Sequence, residues 1–298
     1  MAWKGLGSCV DGCIVVLSVS GSILYAYVKG YLHPDHALVV QPYRAPDCRS
    51  PPSMPVRYVD CIGRSVHMAR YSSVVEVFEP GSALAGAYER LPDPIKEMLD
   101  KAPVDWAGLT GSYAVGCEGR ESDVDLIVYS REPERLLGWL QRERGRGVVR
   151  QCKPQRVISK RRDRRDYAIT PQHVISSLVE SCYRGVPYTL KILRRLSPRH
   201  CMERSPIQIP LGRVRIRADL EADPVESILT PARYRLENAS GSRVLKDGDT
   251  VFLESFRTRY AGLRSGSYIV EGELFLDVEN NFFIISPDLA GGVWRVGE

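Results

Sequence analysis

Asp123 and Asp125 stand one residue apart at the head of Val-Asp-Leu-Ile-Val-Tyr129, the most apolar run in the middle third of the chain. As a strand, this run alternates its side chains, so both carboxylates project from one face. Their Cβ atoms then lie about 7 Å apart, twice the ~3.3 Å rise per residue. Two anions on one face of a core strand repel each other. The pattern therefore asks for a cation, an arginine or a raised pKa.

The segment before the acids supplies a matching feature. A strand ending at Thr110 meets Gly111-Ser112, where a short helix is expected to begin. Glycine lets the backbone approach a phosphate closely, a helix start offers unpaired N–H groups, and Ser112 adds a hydroxyl. A triphosphate held at Gly111 and Ser112 would reach cations shared by Asp123 and Asp125. Two metal ions about 3.5–4 Å apart suit phosphoryl transfer.

Gly111-Ser112, ten residues, then Asp123-Val124-Asp125 and an apolar strand resembles the nucleotidyltransferase superfamily of DNA polymerase beta. Tyr113, Ala114 and Gly116 sit where minimal nucleotidyltransferases carry G-S-x-A-x-G, and Ser122 precedes the first acid as is common there. Val115 stands where a basic residue is frequent. The resemblance implies an α+β protein with a polymerase-beta-like palm domain, ATP or another NTP as substrate, and two Mg²⁺ ions, or Mn²⁺, held by Asp123 and Asp125. It implies transfer of a nucleoside monophosphate to an acceptor, or a catalytically weak nucleotide- or RNA-binding protein on the same fold. It also implies a third carboxylate on a later strand. Pro187–Leu193 is the natural place but holds Thr189 and Lys191, leaving Asp166, Glu180, Asp219 and Glu221 as candidates. Val28–His36 and Asp223–Tyr234 look like segments of uncharacterised archaeal proteins that carry this domain.

Element patterns divide the chain into a β-rich region (1–79), the nucleotidyltransferase-like domain (80–200) and a β-rich region (201–298) expected to form a small barrel. Ser82 is expected to cap a helix with Leu84, Ala87, Tyr88 and Leu91 on one face. A second helix is expected from Thr170-Pro171 through Cys182, ended by Gly185. Gly12–Val28 carries no charge, but Ser18, Ser20, Gly21 and Ser22 interrupt it. A hairpin is expected there, with no membrane span and a cytoplasmic location.

Formal charge is +5 overall, yet residues 142–165 hold eleven basic residues against two acidic ones. This segment reads as a phosphate-binding arm, for RNA or for the nucleotide, or as a solvated loop. The eight cysteines contain no C-x-x-C pair and are expected to be free thiols. His33 with His36, and His200-Cys201, read as structural or incidental.

Overall fold

The charge-free N-terminal stretch folds as a hairpin. In a computed structural model describing residues 9, 12–33, 37–59, 64–152, 173, 176–196, 199–200, 208–288 and 291–296, β1 (Ile14–Val19) and β2 (Ser22–His33) pair antiparallel around Ser20-Gly21. No helix among the described residues is long and apolar enough to cross a membrane. With β3 (Ala37–Arg44), β4 (Val56–Val59), β5 (Arg64–Arg70) and β6 (Val74–Phe78), the hairpin forms a sheet ordered β4-β5-β3-β2-β1-β6. Val15 and Leu17 pair with Ala26 and Leu24 inside this sheet's own core. Ile14 and Val16, on the opposite face, are buried as well.

Helices α1 (Pro80–Ala87) and α2 (Asp93–Lys101) lead into the central sheet. Glu79, not Ser82, holds the N-cap position of α1. Pro80, with its fixed φ and missing N–H, opens the helix one turn earlier than expected. Ser82 instead donates to the Glu79 carboxylate at 2.9 Å. Next come β7 (Trp106–Thr110), the short α3 (Gly111–Ala114), β8 (Val124–Tyr129), α4 (Pro133–Gly145), β9 (Val149–Arg150), β10 (Glu180–Tyr183) and β11 (Val186–Leu193). The strand order is β7-β8-β11-β10-β9, with β8 parallel to β11. Leu126, Val128, Leu190 and Ile192 share a core with Ile95, Met98, Leu136 and Leu140 from α2 and α4. The other face carries the candidate site.

The helix expected through Cys182 stops earlier. His173 and Ser176 are helical, but the chain is extended from Glu180. Gly185, read as a helix stop, sits with Arg184 in the tight β10–β11 turn, both at positive φ (87° and 46°).

A short β12 (Arg199–His200) pairs with β2 in the N-terminal sheet. Beyond it run β13 (Gln208–Glu221), β14 (Leu229–Thr230), β15 (Ala232–Ser240), β16 (Val251–Ser255), β17 (Gly266–Asp277), β18 (Phe282–Ser286) and β19 (Gly292–Arg295). Strands β13-β15-β16-β18-β17 close into a five-stranded barrel because β17 pairs back onto β13, while β19 lies on β17. Ile216, Tyr234, Leu253, Val270 and Ile285 fill it, in a core continuous with that of α4 and β8. β14 joins the central sheet beside β11.

The expectation of free thiols is overturned for six cysteines. Disulfides join Cys9–Cys13, Cys48–Cys117 and Cys152–Cys182, with Cα separations of 5.5, 5.5 and 5.8 Å. Two of them close loops of 69 and 30 residues. Only the tertiary fold brings such partners together, so linear spacing gave no sign of them. Cys61 and Cys201 lie outside the described residues. So do His36 and the side chains of His33 and His200.

Candidate active site

Register builds the site. Thr110 on β7 stands opposite Asp125 on β8, Asp125 opposite Thr189 on β11, and Thr189 opposite Glu180 on β10. Directly opposed residues share a face. One row of side chains, Thr110–Asp125–Thr189–Glu180, therefore crosses four strands. Asp123, two residues before Asp125, projects from the same face, as the alternation of the sequence requires. Its Oδ2 accepts a hydrogen bond from Thr189 Oγ1 at 2.9 Å.

Gly111 has φ +71°, and a Cβ placed there would lie 1.9 Å from Asp125 Oδ2. Sequence reasoning explained this glycine by a phosphate. The immediate constraint is the Asp125 carboxylate itself, packed against the Gly111 backbone. Thr110 precedes it in an extended conformation and makes no side-chain cap to α3. Its hydroxyl instead donates to Gly12 O at 2.7 Å in a buried bond. Ser112 is buried, and its carbonyl accepts from Cys117 N at 2.8 Å, folding the following loop back over α3. Arg90 braces that loop, donating to Tyr113 O and Glu118 Oε1, each at 3.1 Å. The structure thus brings Gly111, Asp123 and Asp125 together, with Ser112 adjacent.

The sequence offered no signal for Tyr27. This phenol comes from β2, its ring centroid 4.5 Å from that of Tyr43. Burial raises it far above the usual tyrosine range, and the negative charge of Asp125 and, more weakly, Asp123 adds to the shift. The N-terminal segment meets the row at Thr110, whose hydroxyl donates to Gly12 O.

Glu180 is the only third-acid candidate that the described residues put in the row. Its Oε1 accepts from Thr258 Oγ1 of the barrel at 3.3 Å. Asp219 is engaged on the outer face of the barrel by Ser267 and Asn238, Glu221 is exposed on β13, and Asp166 lies outside the described residues. The basic segment is partly structural: Arg142 and Arg144 belong to the last turn of α4, and Arg144 donates to the carbonyls of Ser176 and Ser177. Residues 153–165, including Arg161, Arg162, Arg164 and Arg165, lie outside the described residues.

Residues 94–180 match the family model of nucleotidyltransferase domains, from α2 to the first residue of β10. The match supports the nucleotidyltransferase superfamily for this segment. No curated protein and no solved structure matches the chain. Within the domain, the half-buried acid pair offers hard carboxylate oxygens, with Asp125 packed against the Gly111 backbone. That donor set suits an oxygen-seeking divalent cation. Among the described residues, no three His, Cys, Asp or Glu side chains cluster as a metal site would require.

Proposed function

We propose that this domain transfers a nucleoside monophosphate from an NTP to an acceptor hydroxyl and releases pyrophosphate. The observation that carries the reading is the contact of the Asp125 carboxylate with the Gly111 backbone, which joins the acid pair to the glycine-serine turn. Asp123 and Asp125 would hold Mg²⁺, as two ions, with Mn²⁺ as a substitute. Bound there, the cations neutralise charge on the transferring phosphate and the leaving oxygen.

The chain's own residues do the rest. The Gly111 and Ser112 turn cradles the triphosphate. Thr189 fixes Asp123 by its hydrogen bond. Glu180 takes the proton of the attacking hydroxyl, standing two strand spacings, roughly 10 Å, from Asp125 along the row. Thr258 orients the Glu180 carboxylate from the barrel side. Segment 142–165 is proposed to contact an RNA acceptor, a reading that rests on the sequence of its residues 153–165.

A second reading, nucleotide or RNA binding without turnover, is favoured by one feature. The site face of β11, beside Asp125, presents Thr189 and Lys191 and no acid. Incubating the protein with each labelled NTP, Mg²⁺ or Mn²⁺, and total cellular RNA or protein separates the readings. Pyrophosphate release with label transfer supports the first. Metal-dependent NTP binding without release supports the second, and no NTP binding under any condition overturns both.

A further inference from the structure

We propose that the Cys48–Cys117 disulfide is a redox-sensitive clamp on the candidate site. Intact, it holds the loop that joins the glycine-serine turn to the acid pair; reduced by a dithiol, it releases that loop. The effect on nucleotide binding rests on the nucleotidyl-transfer reading; the clamp does not.

Residues 115–123 run from the end of α3 to the first acid. One loop therefore carries Gly111-Ser112 at one end and Asp123 at the other. It consists of turns and irregular chain, and its internal hydrogen bonds are local. Cys117 N donates to Ser112 O at 2.8 Å, and Gly119 and Ser122 exchange two bonds of 2.9 Å. A Cβ on Gly116 or Gly119 would meet nothing within 4 Å, so this chain has room to move.

The other half of the disulfide sits on a fixed point. Directly after β3, Cys48 N donates to Ala45 O at 2.9 Å and Ala45 N to Arg49 O at 3.1 Å, closing a tight turn. Arg44 Nη1 donates to Cys48 O at 2.7 Å, and the Arg44 guanidinium lies over the Tyr43 ring, 5.4 Å from its centroid. Cys48 is held at φ +66°, a left-handed conformation uncommon for a residue with a side chain. The disulfide thus pins an irregular loop to an anchored turn across 69 residues of sequence.

Access singles this disulfide out. Cys9, Cys13 and Cys182 are buried, whereas Cys48 and Cys117 are both partly exposed. Exchange requires a thiolate to reach one of the sulfurs. A dithiol attacks as its thiolate, forms a mixed disulfide with one cysteine and releases the other as a thiol. Its second thiol then displaces the first cysteine. Two electrons and two protons pass to the protein, leaving two cysteine thiols and the dithiol as its own disulfide.

The test treats full-length, oxidised protein with graded dithiothreitol, then iodoacetamide, and locates the label by peptide mass spectrometry. Cys48 and Cys117 are expected to be labelled at concentrations that leave Cys13 and Cys182 unlabelled. Labelling of Cys13 or Cys182 first overturns the selectivity on which the switch depends. Amide hydrogen exchange then reads the loop. Residues 115–122 are expected to exchange about tenfold faster in selectively reduced protein and in the Cys48→Ser/Cys117→Ser double variant, with α2 unchanged. Parental exchange in the loop overturns the clamp. If the double variant does not fold, the selectively reduced and alkylated parent decides. In parallel, NTP is titrated with Mg²⁺ present. A loop that is correctly placed only part of the time lowers apparent affinity by that fraction, here about fivefold. Dithiothreitol should change nothing further in the double variant. Equal NTP affinity of oxidised and reduced protein overturns the regulatory role. Oxidised protein that binds no NTP overturns the nucleotidyl-transfer reading, while labelling and exchange still decide the clamp.

Discussion

Strands β8 and β13 each present aspartate among apolar neighbours, yet their carboxylates live differently. Asp219 on β13 accepts from the Ser267 hydroxyl of its partner strand β17 and from the Asn238 amide at 2.8 Å. Those donors hold its carboxyl below the usual carboxylate range. Asp123 accepts one hydroxyl, from Thr189, and Asp125 is pressed against the Gly111 backbone. The barrel carboxylate is satisfied by neutral donors from its own sheet. The acid pair puts two like charges on one face, with Thr189 donating to Asp123 and the Gly111 backbone against Asp125. Proximity to a strand is therefore a poor guide to function, and the donor set around each carboxylate is a better one.

The sharpest way to break this comparison is to neutralise one acid from each region. Asp125→Asn is expected to lower metal-dependent NTP turnover by about a thousandfold, since metal sites supply several kcal/mol and each 1.36 kcal/mol is tenfold. Asp219→Asn should leave turnover within about twofold. Initial rates of pyrophosphate release measure both. Equal losses would erase the distinction between the two strands.

Glu180→Gln extends the comparison along the row. Loss of a general base costs about a hundredfold or more. NTP affinity should be retained, because Glu180 lies two strands from Asp125. A variant that turns over like the parent would remove Glu180 from the mechanism and strengthen the binding-only reading.

The sequence revealed the acid pair, the glycine-serine turn and the closing run of barrel strands, because each depends on local alternation or local turn chemistry. Asp123 and Asp125 share a face through period-two geometry alone. Hidden from the sequence were features that depend on which strands become neighbours. Glu180 enters the row only because β10 pairs with β11, and the stretch before it has a helical apolar pattern that masked the strand. Gly12 meets Thr110 only because the N-terminal segment docks on the central sheet. Cys48 and Cys117 lie 69 residues apart and meet through that same docking.

Gly111 and Gly116 offer a smaller, cleaner test. Both have φ +71°, so alanine at either position incurs the same left-handed penalty of about 1–2 kcal/mol. They differ in what the new methyl group meets: Asp125 Oδ2 at 1.9 Å for Gly111, and nothing within 4 Å for Gly116. Both alanine variants should lose similar stability from backbone strain, with Gly111→Ala losing somewhat more. Only Gly111→Ala should lose turnover, by up to about a hundredfold, as expected for an ångström-scale displacement of a catalytic group. Thermal melts and rates measured side by side separate strain from contact. Parallel losses of turnover in the two variants would show that backbone strain, and not the Asp125 contact, is what this turn protects.

The smallest expected effect concerns pH and belongs to the barrel. The Ser267 hydroxyl, then the Asn238 amide, stabilises charged Asp219, so its folded pKa lies below its unfolded value. The unfolded state therefore binds the proton more readily than the folded state. Asp219 contributes stability that is fully present above its unfolded pKa, near 3.9. That contribution is lost as pH falls through the lower folded value. Between about pH 5 and 8 the Asp219→Asn variant should show a constant offset from the parent, because neither state of Asp219 titrates there. Below about pH 4 the two melting curves should converge, as the parent alone loses its advantage. Urea denaturation at half-unit steps from pH 2 to 6 follows this limb directly. An offset that persisted undiminished to pH 2 would mean that Ser267 and Asn238 do not favour the charged form of Asp219, and the contrast drawn between the two strands would lose its electrostatic basis.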